Sequence, residues 1–99
     1  RWPEPSAALR EAHYDAAAKP ALTDFRRQLE TVEWQREAIG AALKAVLARY
    51  QLKMPKIAMP LRVMVTGEPQ SPSIDATLEL IGREEVLARM TKELRVFPG

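Results

Sequence analysis

Apolar residues repeat at helical spacing along most of the chain. After the first twenty residues they recur three or four positions apart, at Leu22, Phe25, Leu29 and Val32. This spacing places the four side chains on one face of an α-helix, so it predicts an amphipathic helix that begins near Pro20. The alanine-rich segment 6–18 precedes it and is predicted to be helical too, with Ser6 as its capping residue.

The clearest helical pattern runs from about Val32 to Tyr50. Its predicted buried stripe consists of apolar residues at helical spacing: Ile39, Leu43, Val46, Leu47 and Tyr50. Thr31 is placed to cap the start of this helix, and Trp34 falls in its first turn.

Prolines lead to different predictions for residues 51–59 and for residues 60–67. Residues 51–59 are predicted to form a loop, because Pro55 lacks a backbone N–H donor and biases Met54 towards extended geometry. In residues 60–67 the valines favour a short strand by propensity alone. A proline at the first position and Gly67 just past the last favour a helix instead, and we predict a short helix.

The last third carries two more helical patterns. A Ser-Pro pair predicts a helix over 72–81 that Ser71 caps and Gly82 ends. A final helix is predicted from Arg83 to Arg95, and residues 96–99 are predicted to form a frayed tail.

These elements predict an all-α fold, a compact cage of about five or six helices without a sheet. The 99 residues suffice for one compact domain and hardly for two, so residues 1–99 are predicted to be a single domain. The chain begins with Arg1 and not with methionine, which we interpret as the mark of a fragment of a longer protein or of a processed product.

Composition argues against catalysis. The chain has no cysteine and a single histidine, His13, so neither a thiolate site nor a histidine pair for a metal is available. It has no phosphate-binding glycine loop and no nucleophile elbow. No apolar run approaches a membrane span and no signal peptide opens the chain. We expect a cytoplasmic protein without a membrane partner, and no metal or cofactor in this chain.

Charge is distributed more informatively than the formal net charge of +2 suggests. No acidic residue lies between Glu37 and Glu68, and five basic residues fall in that window: Lys44, Arg49, Lys53, Lys56 and Arg62. This window is either a solvated basic face or a surface that meets phosphates. A helix start at Ser71 would present free N–H groups, and an arginine can both stack on and donate to an RNA base. A plain capping role is the alternative for Ser71.

The spaced motifs from residue 59 to residue 82 resemble the C-terminal segment of bacterial glutamyl-tRNA synthetases. They are Pro60-Leu61-Arg62, Thr66-Gly67, Ser71-Pro72 and Ile81-Gly82, and the likeness continues through Glu84, Leu87 and Arg89 to Leu94. It extends more weakly backwards through Leu52-Lys53-Met54 to the Trp34 helix, while the first thirty residues match only in being helical and rich in alanine.

The resemblance implies a helical anticodon-binding domain of a class I synthetase. Its catalytic Rossmann domain, which uses ATP with magnesium, would lie upstream and is absent here. The implied partners are the anticodon loop of glutamate tRNA and the upstream domains of the same enzyme, and we expect a monomer that does not bind DNA. The residues implied to contact anticodon bases are Arg62, Ser71, Pro72, Ile74 and Asp75. Lys53 and Lys56 are expected to hold the RNA backbone.

Asp75 departs from part of that family, where some members carry an aromatic residue. An aspartate cannot stack on a base, although it can accept a hydrogen bond from a base amino group. The resemblance leaves open whether the longer enzyme also charges glutamine tRNA.

Three other interpretations stay open at this point. One is a helical protein-interaction module that does not bind RNA. Another is a DNA-binding helix-turn-helix domain, which the acidic Asp75 and Glu79 on the presumed recognition helix disfavour. The third is a family member repurposed for regulation.

Overall fold

The computed structural model describes residues 2–99, and its secondary structure is helical throughout. Six α-helices follow one another: α1 (Ala7–His13), α2 (Lys19–Leu29), α3 (Arg36–Tyr50), α4 (Met54–Thr66), α5 (Ile74–Ile81) and α6 (Arg83–Val96). A short 3₁₀ helix, Ala16–Ala18, lies between α1 and α2. No strand occurs in residues 2–99, so the all-α prediction is confirmed.

The helices share one apolar core with a Cα radius of gyration of 12.0 Å. α3 packs between α2 and α5, and α6 packs against α2, α4 and α5. Five helices contribute side chains with no solvent exposure, among them Phe25, Ile39, Leu61, Leu78 and Met90. No helix of residues 2–99 combines the length and apolar character needed to cross a membrane.

Glu93 is a buried carboxylate that joins α6 to α1. Its two oxygens accept hydrogen bonds from the Arg10 guanidinium at 2.9 and 3.0 Å, and the Tyr14 hydroxyl donates a third at 2.8 Å. Burial, reinforced by the neighbouring Glu93 charge, raises the pKa of the Tyr14 phenol above its ordinary value. We call Arg10, Tyr14 and Glu93 the Glu93 cluster.

Asp24 is a second buried carboxylate, and it joins α2 to the end of α3. It accepts hydrogen bonds from Arg49, from Arg27 at 2.8 Å and from the Tyr50 hydroxyl at 3.1 Å. Burial alone would raise the pKa of Asp24, but the donors around it, Gln28 included, outweigh burial and lower that pKa to about 2. The carboxylate is therefore ionised at neutral pH.

The structure shortens the first predicted helix and orders the predicted tail. Ser6 caps α1 as expected, with the Leu9 N–H donating to its hydroxyl at 3.1 Å, but α1 ends at His13. Tyr14 leaves the helix in an extended conformation, and its ring stacks on Phe97 with centroids 4.6 Å apart. Phe97 is only 3% exposed, so the prediction of a frayed tail over 96–99 was wrong.

α3 begins at Arg36, not near Val32, and Thr31 does not cap it. The segment before it is bent by Arg83, which donates to the carbonyls of Glu30 and Val32 and lies over the Trp34 ring at 5.2 Å. These carbonyls therefore bond to a side chain from α6. Trp34 lies in this connection and not in the helix.

α4 includes most of the segment predicted to be a loop over 51–59. Pro55 occupies the first turn, where an N–H group has no helical acceptor and proline is tolerated. Pro60 lies in the helix interior, and the helix continues through it to Thr66. Gly67 ends α4 as predicted, with a φ of 77°, and a Cβ there would stand 2.5 Å from the Pro3 carbonyl oxygen.

Candidate nucleic-acid interface

The α4 helix brings Arg62 against Ser71 in the connection to α5. The half-buried Arg62 donates from Nε to the Ser71 hydroxyl at 2.9 Å, and its Nη1 lies 4.0 Å from the sulfur of Met59. Among residues 2–99, no carboxylate lies within ion-pair distance of this guanidinium. The structure therefore joins two of the predicted contact residues and leaves the Arg62 charge available to an acceptor.

Ser71 does not cap α5, which corrects the predicted helix start. The helix begins at Ile74, and Ser73 stands at the capping position. The hydroxyl of Ser71 instead accepts from Arg62 and donates to the Pro72 carbonyl at 2.8 Å. The Thr77 hydroxyl also approaches the carbonyls of Pro72 and Ser73, at 3.1 and 3.0 Å. These bonds connect the carbonyl of the exposed Pro72 to Ser71, the hydrogen-bond partner of Arg62.

Asp75 lies half-buried in the first turn of α5. Its Oδ1 is 3.4 Å from Arg36 Nε, and the same guanidinium donates to the Ser73 hydroxyl at 3.0 Å. Partial burial acts to raise the pKa of Asp75. Hydrogen bonds from Ser73 and the Ala76 N–H, together with the Arg36 charge, lower that pKa below its ordinary value. Asp75 is thus an ionised acceptor.

A cavity of about 180 Å³ opens between α3, α4 and the start of α5. Three predicted contact residues, Arg62, Ile74 and Asp75, line it. Its other lining residues were not predicted as contacts: Gly40, Leu43, Lys44, Met54 and Ser73. We call this space the α3–α5 cavity.

Two of the missed residues left some signal in the sequence. Lys44 belongs to the basic window, but its neighbours along the chain do not show that it meets Arg62 across the cavity. Gly40 lies inside an alanine-rich helix, and a Cβ there would stand 3.2 Å from Asp75 Oδ2. The glycine lets α3 approach α5 closely, which the pattern of α3 alone does not reveal.

Ser71 and Pro72 do not line the α3–α5 cavity. They border a neighbouring apolar pocket of about 150 Å³, together with Trp2 and Leu80. The predicted site is therefore split between two adjacent recesses, and the Arg62–Ser71 hydrogen bond connects their linings.

The two lysines expected to hold RNA backbone have different surroundings. Lys53 is exposed at the capping position of α4, next to Met54 of the cavity lining. Lys56 is 2.7 Å from Asp15 Oδ2 and borders a separate recess beside His13. Lys53 therefore has no carboxylate partner in residues 2–99, whereas Lys56 would have to leave Asp15 to meet a phosphate.

No group of three or more histidine, aspartate or glutamate side chains that could hold a metal ion was found in residues 2–99. A helical body with lone cationic groups beside a small cavity has the character of a nucleic-acid-binding module. A family model described as an anticodon binding domain matches residues 3–94, and the chain belongs to that family.

Similar proteins agree with the resemblance seen in the sequence. The chain is 58% identical over 90 residues to the glutamate–tRNA ligase of Thiobacillus denitrificans, covering 91% of this chain and 19% of that protein. It is 55% identical over 94 residues to the glutamate–tRNA ligase of Herminiimonas arsenicoxydans, covering 95% of this chain and 20% of that protein. The chain thus spans about a fifth of the length of these relatives.

The fold also matches a solved structure. A crystal structure of a glutamate tRNA ligase from Elizabethkingia meningosepticum, in complex with its amino acid, superposes with a TM-score of 0.88 over 99% of this chain and 20% of that one. The two sequences are 20% identical, so this match shows the shared helical fold.

Proposed function

We propose that this chain binds the anticodon loop of glutamate tRNA for a glutamate–tRNA ligase whose catalytic part lies elsewhere in the longer protein. The observation that carries the proposal is the meeting of Arg62, Ile74 and Asp75 in one cavity of an anticodon binding domain. The relatives that contain this domain are glutamate–tRNA ligases, which supports glutamate tRNA as the partner.

In this proposal Arg62 contacts a base from the mouth of the cavity. Its guanidinium plane can stack on a base, and its free N–H groups can donate to base acceptors. The Ser71 hydroxyl holds Nε of Arg62 and limits the orientations of the side chain. Asp75 offers its ionised carboxylate to a base amino group, because a carboxylate only accepts hydrogen bonds.

In this proposal the chain positions the tRNA, and the ligation reaction takes place in a separate catalytic domain. The longer enzyme would ligate glutamate to the tRNA with ATP and magnesium in a separate catalytic domain. Lys53 and the neighbouring basic residues would hold phosphates, while the base contacts select the correct tRNA. Each stacked base typically contributes about 1–3 kcal/mol.

The test is a titration of the 99-residue chain with the anticodon stem-loop of glutamate tRNA, at low and moderate salt. The control is a stem-loop of the same length and stem with a changed anticodon. We expect tighter binding to the glutamate loop, with a salt dependence that corresponds to a few phosphate contacts.

Each other result points to a different function. Equal, salt-sensitive binding to both loops would mean that the chain supplies backbone affinity without base recognition. No binding to either loop would contradict the proposal and favour a protein-interaction module.

A further inference from the structure

Most basic side chains in residues 2–99 have an acidic partner. Eight of them lie within 4.0 Å of a carboxylate oxygen: Arg10, Arg26, Arg27, Arg36, Arg49, Lys56, Arg89 and Lys92. A paired cation contributes little to the potential of the surface, because the field of its partner cancels most of its own.

The α3–α5 cavity is an exception to this pairing. Lys44 from α3 and Arg62 from α4 both line it, and neither has a carboxylate partner in the described part of the chain. The Lys44 side chain is exposed and makes no hydrogen bond within residues 2–99. Two uncompensated positive charges therefore border one small recess.

The single acidic residue that lines the cavity is already balanced. Asp75 pairs with Arg36, whose Nε is 3.4 Å from Oδ1 and which stands outside the cavity lining. Counting the Arg36–Asp75 pair as neutral leaves an excess of positive charge at the cavity. Such a recess, with low-dielectric walls of Leu43 and Ile74, attracts anions.

We propose that Lys44 is a further RNA-binding residue of this domain, and that it holds a backbone phosphate of the nucleotide whose base lies at Arg62. The inference rests on the proposed function, because that function supplies the RNA. Lysine suits this role as a compact, strongly hydrated charge with three donors and no preference for one base. Lys44 therefore adds affinity, while Arg62 adds discrimination.

The test compares salt dependences. The 99-residue chain, Lys44→Gln and Arg95→Gln are each titrated with the glutamate anticodon stem-loop and with the changed-anticodon loop at several potassium chloride concentrations. Arg95 is the matched control because it is exposed on α6 and does not line the cavity. Lys44→Arg, which keeps the charge, is the rescue variant.

We expect Lys44→Gln to weaken binding of both loops by the same factor, roughly three- to tenfold at low salt. The slope of log affinity against log salt should fall by about 0.7, the value for one phosphate contact on a single strand. Arg95→Gln should keep the original slope, and Lys44→Arg should restore it.

Failure of this inference is distinguishable from failure of the proposed function. If the unmodified chain prefers the glutamate loop and Lys44→Gln keeps its slope, Lys44 has no phosphate contact. If Lys44→Gln weakens only the glutamate loop, Lys44 recognises a base and the phosphate role is wrong. If the unmodified chain binds neither loop, the proposed function fails and this inference fails with it.

Discussion

The Glu93 cluster and the α3–α5 cavity both gather charged groups from separate helices, but they treat those charges differently. In the Glu93 cluster each carboxylate oxygen accepts a hydrogen bond from Arg10 and the Tyr14 hydroxyl donates to one of them, so the charges are satisfied internally. At the cavity Lys44 and Arg62 have no acidic partner in residues 2–99. Charged groups that are paired within the protein, as in the Glu93 cluster, contribute to the stability of the fold. Charged groups without such a partner, as at the cavity, stay available to bind another molecule.

Glu93→Ala is expected to have the largest effect of the substitutions that test this comparison. The substitution leaves the Arg10 charge unpaired and the buried Tyr14 hydroxyl without its acceptor, so we expect a loss of about 3 kcal/mol in the free energy of unfolding, measured in urea. Glu84→Ala, an exposed change on the same helix, should stay within about 0.5 kcal/mol of the unmodified chain. RNA affinity of folded Glu93→Ala should be unchanged, and a loss of affinity without a loss of stability would reverse the assignment.

Arg62→Ala tests the role of the unpaired charges at the α3–α5 cavity. We expect the fold to persist and binding of the glutamate anticodon stem-loop to weaken roughly ten- to a hundredfold, about 2 kcal/mol, with poorer discrimination between anticodons. The affinity is measured by titration, with circular dichroism as the control for folding. Unchanged affinity in a folded variant would remove Arg62 from the interface.

Asp24→Asn tests whether the hydrogen bonds around the buried Asp24 carboxylate give the fold a pH-dependent stability. Because the folded pKa of Asp24, about 2, lies below its ordinary value of 3.8, its contribution is complete above the unfolded pKa and is lost as pH falls towards 2. We expect the variant to lose roughly 1.5 kcal/mol of stability at neutral pH. The difference from the unmodified chain, measured by urea unfolding, should shrink between about pH 5 and pH 2. A difference that stays constant over that range would contradict the role of the Asp24 charge.

Ser71→Ala should have the smallest effect. It removes the acceptor that holds Arg62 Nε and keeps both lone charges at the cavity. We expect a loss of binding of under about 1 kcal/mol, with the salt slope unchanged, because no phosphate contact is lost. Titration at several salt concentrations checks both quantities, and a reduced slope would mean that the substitution also removes a phosphate contact.

Local sequence patterns predicted correctly those helices in which the apolar repeat and the residues at the helix end indicate the same bounds. Gly67 and Gly82 end α4 and α5 as expected, and the apolar repeat of α2 is buried. The errors arise where a distant residue decides the local structure. Arg83 bends the segment before α3, and Tyr14 orders Phe97, across more than fifty and eighty residues of sequence respectively.

Proline produced a different kind of error. Pro55 indicated a loop and Pro60 the start of a short helix. In the structure Pro55 lies in the tolerated first turn of α4, and Pro60 lies inside the same helix, whose buried side chains hold it in place. Packing against the core outweighed a local preference.

The candidate site was predicted only in part, for a geometric reason. Arg62, Ile74 and Asp75 were found through a resemblance along one stretch of sequence, and they do line the cavity. Lys44 and Gly40 belong to another helix, and their place at the cavity depends on how α3 crosses α5. A linear pattern carries no information on such a crossing.

Gly82 both ends α5 and stands at the capping position of α6, so no spacer separates the two helices. A single residue inserted or deleted at this junction would change the angle and the offset between α5 and α6, and would so displace the buried Val86 and Met90 of α6 from the core. Length variation within this domain should be rare at residue 82 and more frequent in the exposed turn that follows Gly67.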